Sequence, residues 1–129
     1  MKDLKTREDI ELLVNTFYKK VQKDETIGFF FNDVAKVDWS KHLPNMYDFW
    51  ESILFGSAAY KGNPMQKHFP VNDIIPLEKQ HFEHWLFLWK QTLTELFEGK
   101  NTELALYKAS NIANLMSYKM DIATKLKEK

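Results

Sequence analysis

Cysteine is absent from the 129 residues. Its absence excludes disulfides, thiolate nucleophiles, iron–sulfur clusters and zinc-finger sites. An excess of either charge is missing too: Lys+Arg and Asp+Glu each count 18, so the net charge is zero with the histidines neutral. Such a chain exerts no long-range pull on nucleic acid or an anionic membrane. Arg7 is the sole arginine, which leaves bidentate recognition of phosphates or base edges poorly supplied. The longest apolar run is Trp85-Leu86-Phe87-Leu88-Trp89, far short of the ~20 residues of a membrane span. The charged start, Met1 to Glu8, has no apolar stretch of the secretory kind. These absences set the expectation of a cytoplasmic protein with neither nucleic-acid nor membrane partners. At roughly 150 residues per domain, residues 1–129 read as one domain.

Glycine is also scarce, at four residues, whereas aromatics make up 15% of the chain. Few glycines among many Lys, Glu and Leu predict long helices, and the aromatics suggest something bulky or flat to pack against. Ile10, Leu13, Val14, Phe17 and Val21 form a helical stripe behind a Thr6–Asp9 capping box. Asp24 to Gly28 ends it, and an aromatic knot, Phe29-Phe30-Phe31, follows. A second stripe, Trp39, Leu43, Met46, Trp50, Ile53 and Leu54, opens at Asp38 and contains Pro44, which marks either a kink or the helix's true first turn. Residues 56–64 read as a loop, and a one-turn helix, Met65 to Phe69, is expected to stop at Pro70. Beyond Pro76, the residues Phe82, Trp85, Leu86, Trp89, Leu93, Leu96 and Phe97 mark a strong helix with Gly99 as its stop. Asn101 or Thr102 is the expected cap of a last helix with Ala105, Ala109, Ile112, Ala113, Met116 and Met120 inward, and the tail from Lys125 reads as loose. No segment alternates with period 2. The pattern is all-α, with five to seven helices.

A histidine on an apolar helix face is most often packed or half exposed. His81 and His84, three apart, lack the four-residue spacing of zinc-protease ligands and read as edge residues of their helix. His68 differs. It stands in a short helix with Met65 and Phe69 beside it, which is how an axial haem ligand is displayed, and neutral imidazole is the iron ligand of globins and peroxidases. His42 lies on the apolar face of the Trp39–Leu54 stripe with Leu43 and Met46. The spacing permits the two rings to face each other across a flat ligand.

The order Phe17-Tyr18-Lys19-Lys20-Val21, Asp24, Ile27-Gly28, Phe31, then Trp39-Ser40-Lys41-His42-Leu43, Phe49-Trp50 and Leu54 resembles the group III truncated haemoglobins. Tyr60-Lys61-Gly62-Asn63-Pro64, Lys67-His68, His81-Phe82-Glu83-His84-Trp85-Leu86 and the Ala109–Met116 stretch extend the likeness across about residues 9 to 120. The Gly-Gly pairs of groups I and II are missing. The resemblance implies an all-α, globin-like, two-over-two helical sandwich around haem b, without covalent attachment. It implies His68 as the iron ligand and Tyr18, His42 and Trp85 as the polar residues on the distal side. Phe30, Phe31, Met46, Trp50, Tyr60, Met65 and Lys67 are implied as further cofactor contacts, together with His42, His68 and Trp85. Pro44 leaves the direction of His42 open, and His81 and His84 stand where apolar residues are expected, with the haem edge or solvent as their surroundings.

The implied function is binding of O2 and other diatomic ligands (NO, CO) or peroxide. A hydrogen bond to a charge-bearing ligand contributes ~1.5–3 kcal/mol, so two donors slow ligand escape by ~100-fold or more. Tight retention suits ligand chemistry, such as NO dioxygenation or peroxidase-like reduction, better than bulk oxygen transport. A haem-based gas or redox sensor without turnover and a haem-free helical interaction domain remain the alternatives. The 129 residues show neither an output domain nor a reductase, so redox cycling calls for an external reductase. The expected state is a monomer or weak homodimer.

Overall fold

A computed structural model describes residues 1–57, 60, 62 and 64–127, the side chains of Pro64 and Met65 excepted. Helix α1, Arg7–Lys23, starts at the capping box expected from its sequence. The Asp9 N–H donates to Thr6 Oγ1 (3.2 Å), and Asp9 Oδ2 accepts from the Thr6 N–H (3.2 Å). Its stripe of Ile10, Leu13, Val14, Phe17 and Val21 is wholly buried. After α1, the Asp24 carboxylate accepts the N–H groups of Thr26 and Ile27, and Gly28 closes against the helix end. A Cβ at Gly28 would lie 2.8 Å from the Val21 carbonyl oxygen, so the turn admits no side chain there. The aromatic knot then forms a π-helical turn, Phe30–Val34, which buries Phe30.

Helix α2, Trp39–Phe55, begins at Asp38, whose carboxylate accepts the Ser40 N–H. It runs unbroken through Pro44. Helix α3, Pro64–Ile74, corrects the one-turn expectation, since it continues past Pro70. Proline removes one rung of the ladder, but Asn72 beyond it is hydrogen-bonded to the last helix, and that tertiary anchor holds the extra turn.

Helix α4, Lys79–Leu96, and helix α5, Lys100–Lys127, complete the set. The cap of α5 is a second correction. Neither Asn101 nor Thr102 caps it from within; Asp3 does so from the other end of the chain, accepting the N–H groups of Asn101 and Thr102 (both 2.9 Å) and the Thr102 hydroxyl (2.7 Å). Gly99, at φ +131°, makes room: a Cβ there would lie 2.6 Å from Asp3 Cγ. Helix α5 runs to Lys127, whose Nζ reaches the Asp73 carboxylate at 3.0 Å, so residues 125–127 of the expected loose tail are helical, and the rest of that tail lies outside the described residues.

Helix α1 packs on α2 and α4, α4 packs along α5, and α3 lies against α5 and the π-helical turn. The α1–α2 and α4–α5 pairs thus pack on each other, with the buried Phe17, Trp50 and Trp89 meeting between them. Trp50 stacks on Trp89 at 4.4 Å between ring centres, and Trp85 lies parallel to Trp89 at 6.1 Å. Among the described residues no helix is long and apolar enough to cross a membrane.

Candidate cofactor site

A cavity of about 310 Å³ opens among α1, the π-helical turn, α2, α3, α4 and α5. Its size falls at the lower end of the ~300–1,000 Å³ common for small-molecule and cofactor sites. Tyr18 comes from α1, Phe30 and Phe31 from the π-helical turn, His42, Met46 and Trp50 from α2, and Lys67 and His68 from α3. Tyr60 enters from the loop and Trp85 from α4. Every residue that the resemblance implies as a ligand-side or cofactor contact therefore lines this cavity, apart from Met65, whose side chain lies outside the described residues.

One end of the cavity is an aromatic cluster around His42. The Tyr18 ring meets it edge-on at 5.0 Å, Trp39 does so at 5.4 Å, and Phe31 lies 6.4 Å away. Pro44 does not turn His42 outward: the ring stays in this cluster and lines the cavity. Burial, with the positive charges of Lys67 and His68 adding to it, pushes His42 down to about 4. The imidazole is therefore neutral at pH 7, with one nitrogen able to donate and the other to accept. Burial also raises the Tyr18 phenol above its ordinary value, which keeps its proton in place.

Among the described residues, two buried side-chain polar atoms in the cavity wall have no protein partner. His42 Nε2 and the Tyr60 hydroxyl are both buried and unbonded. A buried polar atom left unsatisfied costs ~1–3 kcal/mol, so such atoms mark places where a ligand or water completes the bonding. Trp85 meets Phe17 edge-on at 5.6 Å, and its indole stands at the cavity wall. Trp89, one turn on, turns away from the cavity and donates its N–H to the Ala105 carbonyl.

His81 and His84 have different surroundings. His81 Nδ1 accepts the Glu78 N–H at 2.9 Å at the start of α4, and its ring touches Phe30 while lining the cavity. Burial, opposed by Glu78, lowers the His81 value. His84 does not line the cavity. Its Nε2 meets Asp24 Oδ2 at 2.7 Å, which ties α4 to the turn after α1. Among the described residues no group of three His, Cys, Asp or Glu side chains is placed to hold a metal ion.

Sequence reasoning missed Val71, Leu77, Asn45 and Phe49 as wall residues, and it took Phe82 and Met116 for core. The stripes of Phe82 and Met116 carried the signal that they point inward, and both belong to the core as well as the cavity wall, whereas Asn45, Val71 and Leu77 stand on no apolar stripe. Periodicity does not distinguish a residue that fills a core from one that lines a hole within it.

Comparison with known proteins agrees with the architecture. The family model described as bacterial-like globin matches residues 3–118. A group 3 truncated haemoglobin of Campylobacter jejuni is 32% identical over 111 residues, covering 84% of this chain and 85% of the relative. A group 1 truncated haemoglobin of Chlamydomonas moewusii is 33% identical over 91 residues, covering 70% of this chain and 50% of that protein. The crystal structure of the group III truncated haemoglobin from Campylobacter jejuni superposes with a TM-score of 0.80 at 31% identity, covering 93% of this chain and 95% of that one. With a two-over-two arrangement of helices around a histidine-flanked cavity, and with matches running nearly its full length, this chain belongs to the bacterial-like globins, in the group III truncated haemoglobins.

Proposed function

We propose that the chain holds haem b between α2 and α3 through His68 and that its polar cavity serves chemistry on O2, NO or peroxide rather than bulk oxygen carriage. The observation that carries this reading is one apolar cavity lined by His42 of α2 and His68 of α3, with the buried and unbonded His42 Nε2 in its wall. Haem fits the residues present. Phe30, Phe31 and Trp50 offer flat apolar surface and Met46 a flexible one, with an imidazole at His68 and the Lys67 ammonium at the rim. Tyr60 brings a hydroxyl that lacks a protein partner.

Bound haem supplies a redox-active iron with a coordination position for a small ligand. The side chains set the fate of that ligand. Tyr18 keeps its phenolic proton, Trp85 brings an indole N–H, and neutral His42 offers a ring nitrogen as donor or acceptor according to tautomer. Each donor bonded to a charge-bearing ligand slows escape by about tenfold or more, at ~1.5–3 kcal/mol. In the low-dielectric surroundings of the aromatic walls these bonds are stronger than in water. Electrons would come from an external reductase.

The test is His68→Gly. Purified variant protein should bind haem weakly and without the axial-histidine absorption spectrum, and added imidazole should restore that spectrum. Unchanged haem retention and an unchanged spectrum would remove His68 from the role.

A further inference from the structure

Asn72 stands in α3 four residues after His68, so it lies one turn along the same side of the helix. It is 2% exposed, and its amide is bonded at both ends. The Nδ2 group donates to the Met120 carbonyl (3.4 Å) and to Thr124 Oγ1 (3.2 Å), both on α5. The Oδ1 atom accepts the Leu77 N–H at 2.7 Å, in the connection to α4.

These bonds meet behind one wall of the cavity. Val71 and His68 line it from α3, Leu77 from the connection, and Met116, one turn before Met120, from α5. Phe69 and Val71 pack α3 on the core and the exposed Lys127–Asp73 pair ties its end to α5, while Asn72 supplies its buried hydrogen bonds to α5 and the α4 connection. Helix α3 is 11 residues long, Pro70 has no N–H to donate within it, and its apolar residues are not gathered on one face. A planar amide offers two N–H donors and an acceptor oxygen at fixed angles in one uncharged group, so neither Asp nor Leu reproduces all three bonds.

We infer that Asn72 is a positioning residue for His68: it clamps α3 to α5 and to the α4 connection, and thereby sets where the imidazole stands in the cavity. The inference rests on the reading of His68 as the haem ligand. The clamp acts through helix pose, so its loss reaches the imidazole even though Asn72 touches no cofactor. It also gives the last turn of α5 a part in the site, through Thr124.

The experiment compares haem-loaded parent protein with Asn72→Asp, Asn72→Leu and Thr124→Val. It reads the iron–histidine stretching band of the ferrous protein by resonance Raman and the rate of haem loss to an excess of acceptor protein. Thr124→Val removes one bond at a half-buried position and leaves the core intact, so it reports even where Asn72→Leu fails to fold. Val14→Ala is the control, a core truncation on α1 away from the cavity wall. The inference expects a shifted or broadened band in the Asn72 and Thr124 variants and haem loss about tenfold faster in Asn72→Leu. The Val14→Ala band should stay in place despite its lower melting temperature. A parent-like band in both Asn72→Asp and Thr124→Val overturns the inference, and so does an equal shift in Val14→Ala. Failure of the His68 reading is distinguishable, because the His68→Gly protein would then keep the parent band.

Discussion

Replacing Asp3 by alanine should cost more stability than the end of a chain normally carries. The carboxylate accepts two backbone N–H groups and one hydroxyl at the start of α5, and Thr102, which supplies two of those donors, is 8% exposed. Loss of an N-cap costs ~0.5–2 kcal/mol, and leaving nearly buried donors unbonded adds ~1–3 kcal/mol. A total near 3 kcal/mol lowers the melting temperature by about 10 °C in a domain of this size. Urea unfolding followed by far-UV circular dichroism measures it, with an unchanged m-value showing that stability alone moved. Gly99→Ala should act through the same contact, since the new Cβ would lie 2.6 Å from Asp3 Cγ at a φ of +131°. The two changes combined should cost clearly less than their sum. Burial would push the Asp3 carboxyl up, but the bonds from Asn101 and Thr102 outweigh it and hold it below the ordinary value. The stabilisation is therefore complete above the unfolded carboxyl's pKa and is lost as pH falls through the folded one, a dependence that Asp3→Asn should remove. An Asp3→Ala protein within about 0.5 kcal/mol of the parent, well below the N-cap scale, would refute the reasoning.

Other substitutions test the site and its frame. Trp85→Phe keeps most of the ring volume and deletes the N–H, so O2 should leave about tenfold faster while CO, which carries less charge when bound, changes less; stopped-flow release rates decide it. His42 is held down to about 4 in the folded chain, against an ordinary value near 6.5, so falling pH over that interval protonates the unfolded state first and erodes stability. His42→Leu should flatten that acid limb in pH-dependent melting curves, and an unchanged limb would count against a buried neutral imidazole. Arg7 bonds Asp48 at 2.8 Å and Glu51 at 3.1 Å from a half-exposed position, so Arg7→Met should cost only about 1 kcal/mol, less in high salt, by denaturant titration.

The helical class was legible because α1, α2, α4 and α5 each carry an apolar stripe strong enough to read without partners, and the Thr6–Asp9 and Asp38 caps are local signals. The site residues were legible for another reason: Tyr18, His42, His68 and Trp85 stand in a long family order, and the fold brings them to one cavity. What stayed hidden depends on residues far apart in the chain. Asp3 caps a helix 98 residues away, and Asn72 reaches across 48 and 52 residues to hold a turn that Pro70 argues against. Local propensity stops α3 at the proline, and tertiary hydrogen bonds extend it. Neither His81 bonded to the start of its own helix nor His84 paired with Asp24 is visible in their spacing, because each partner lies off the helical stripe.

The indoles of Trp50, Trp89 and Trp85 form a near-parallel series, with neighbouring ring centres 4.4 and 6.1 Å apart, in which Trp50 and Trp85 reach the cavity wall and Trp89 lies buried between them. Chromophores this close share their excited states, so the near-ultraviolet circular dichroism of the protein is a property of the series rather than of three separate rings. Light absorbed at Trp50 has a short path to Trp85, and any strongly absorbing group seated beside Trp85 drains emission from all three. The native fluorescence is thus a built-in gauge of cavity occupancy. It needs no label, and it is read from the same rings that hold the helix pairs together.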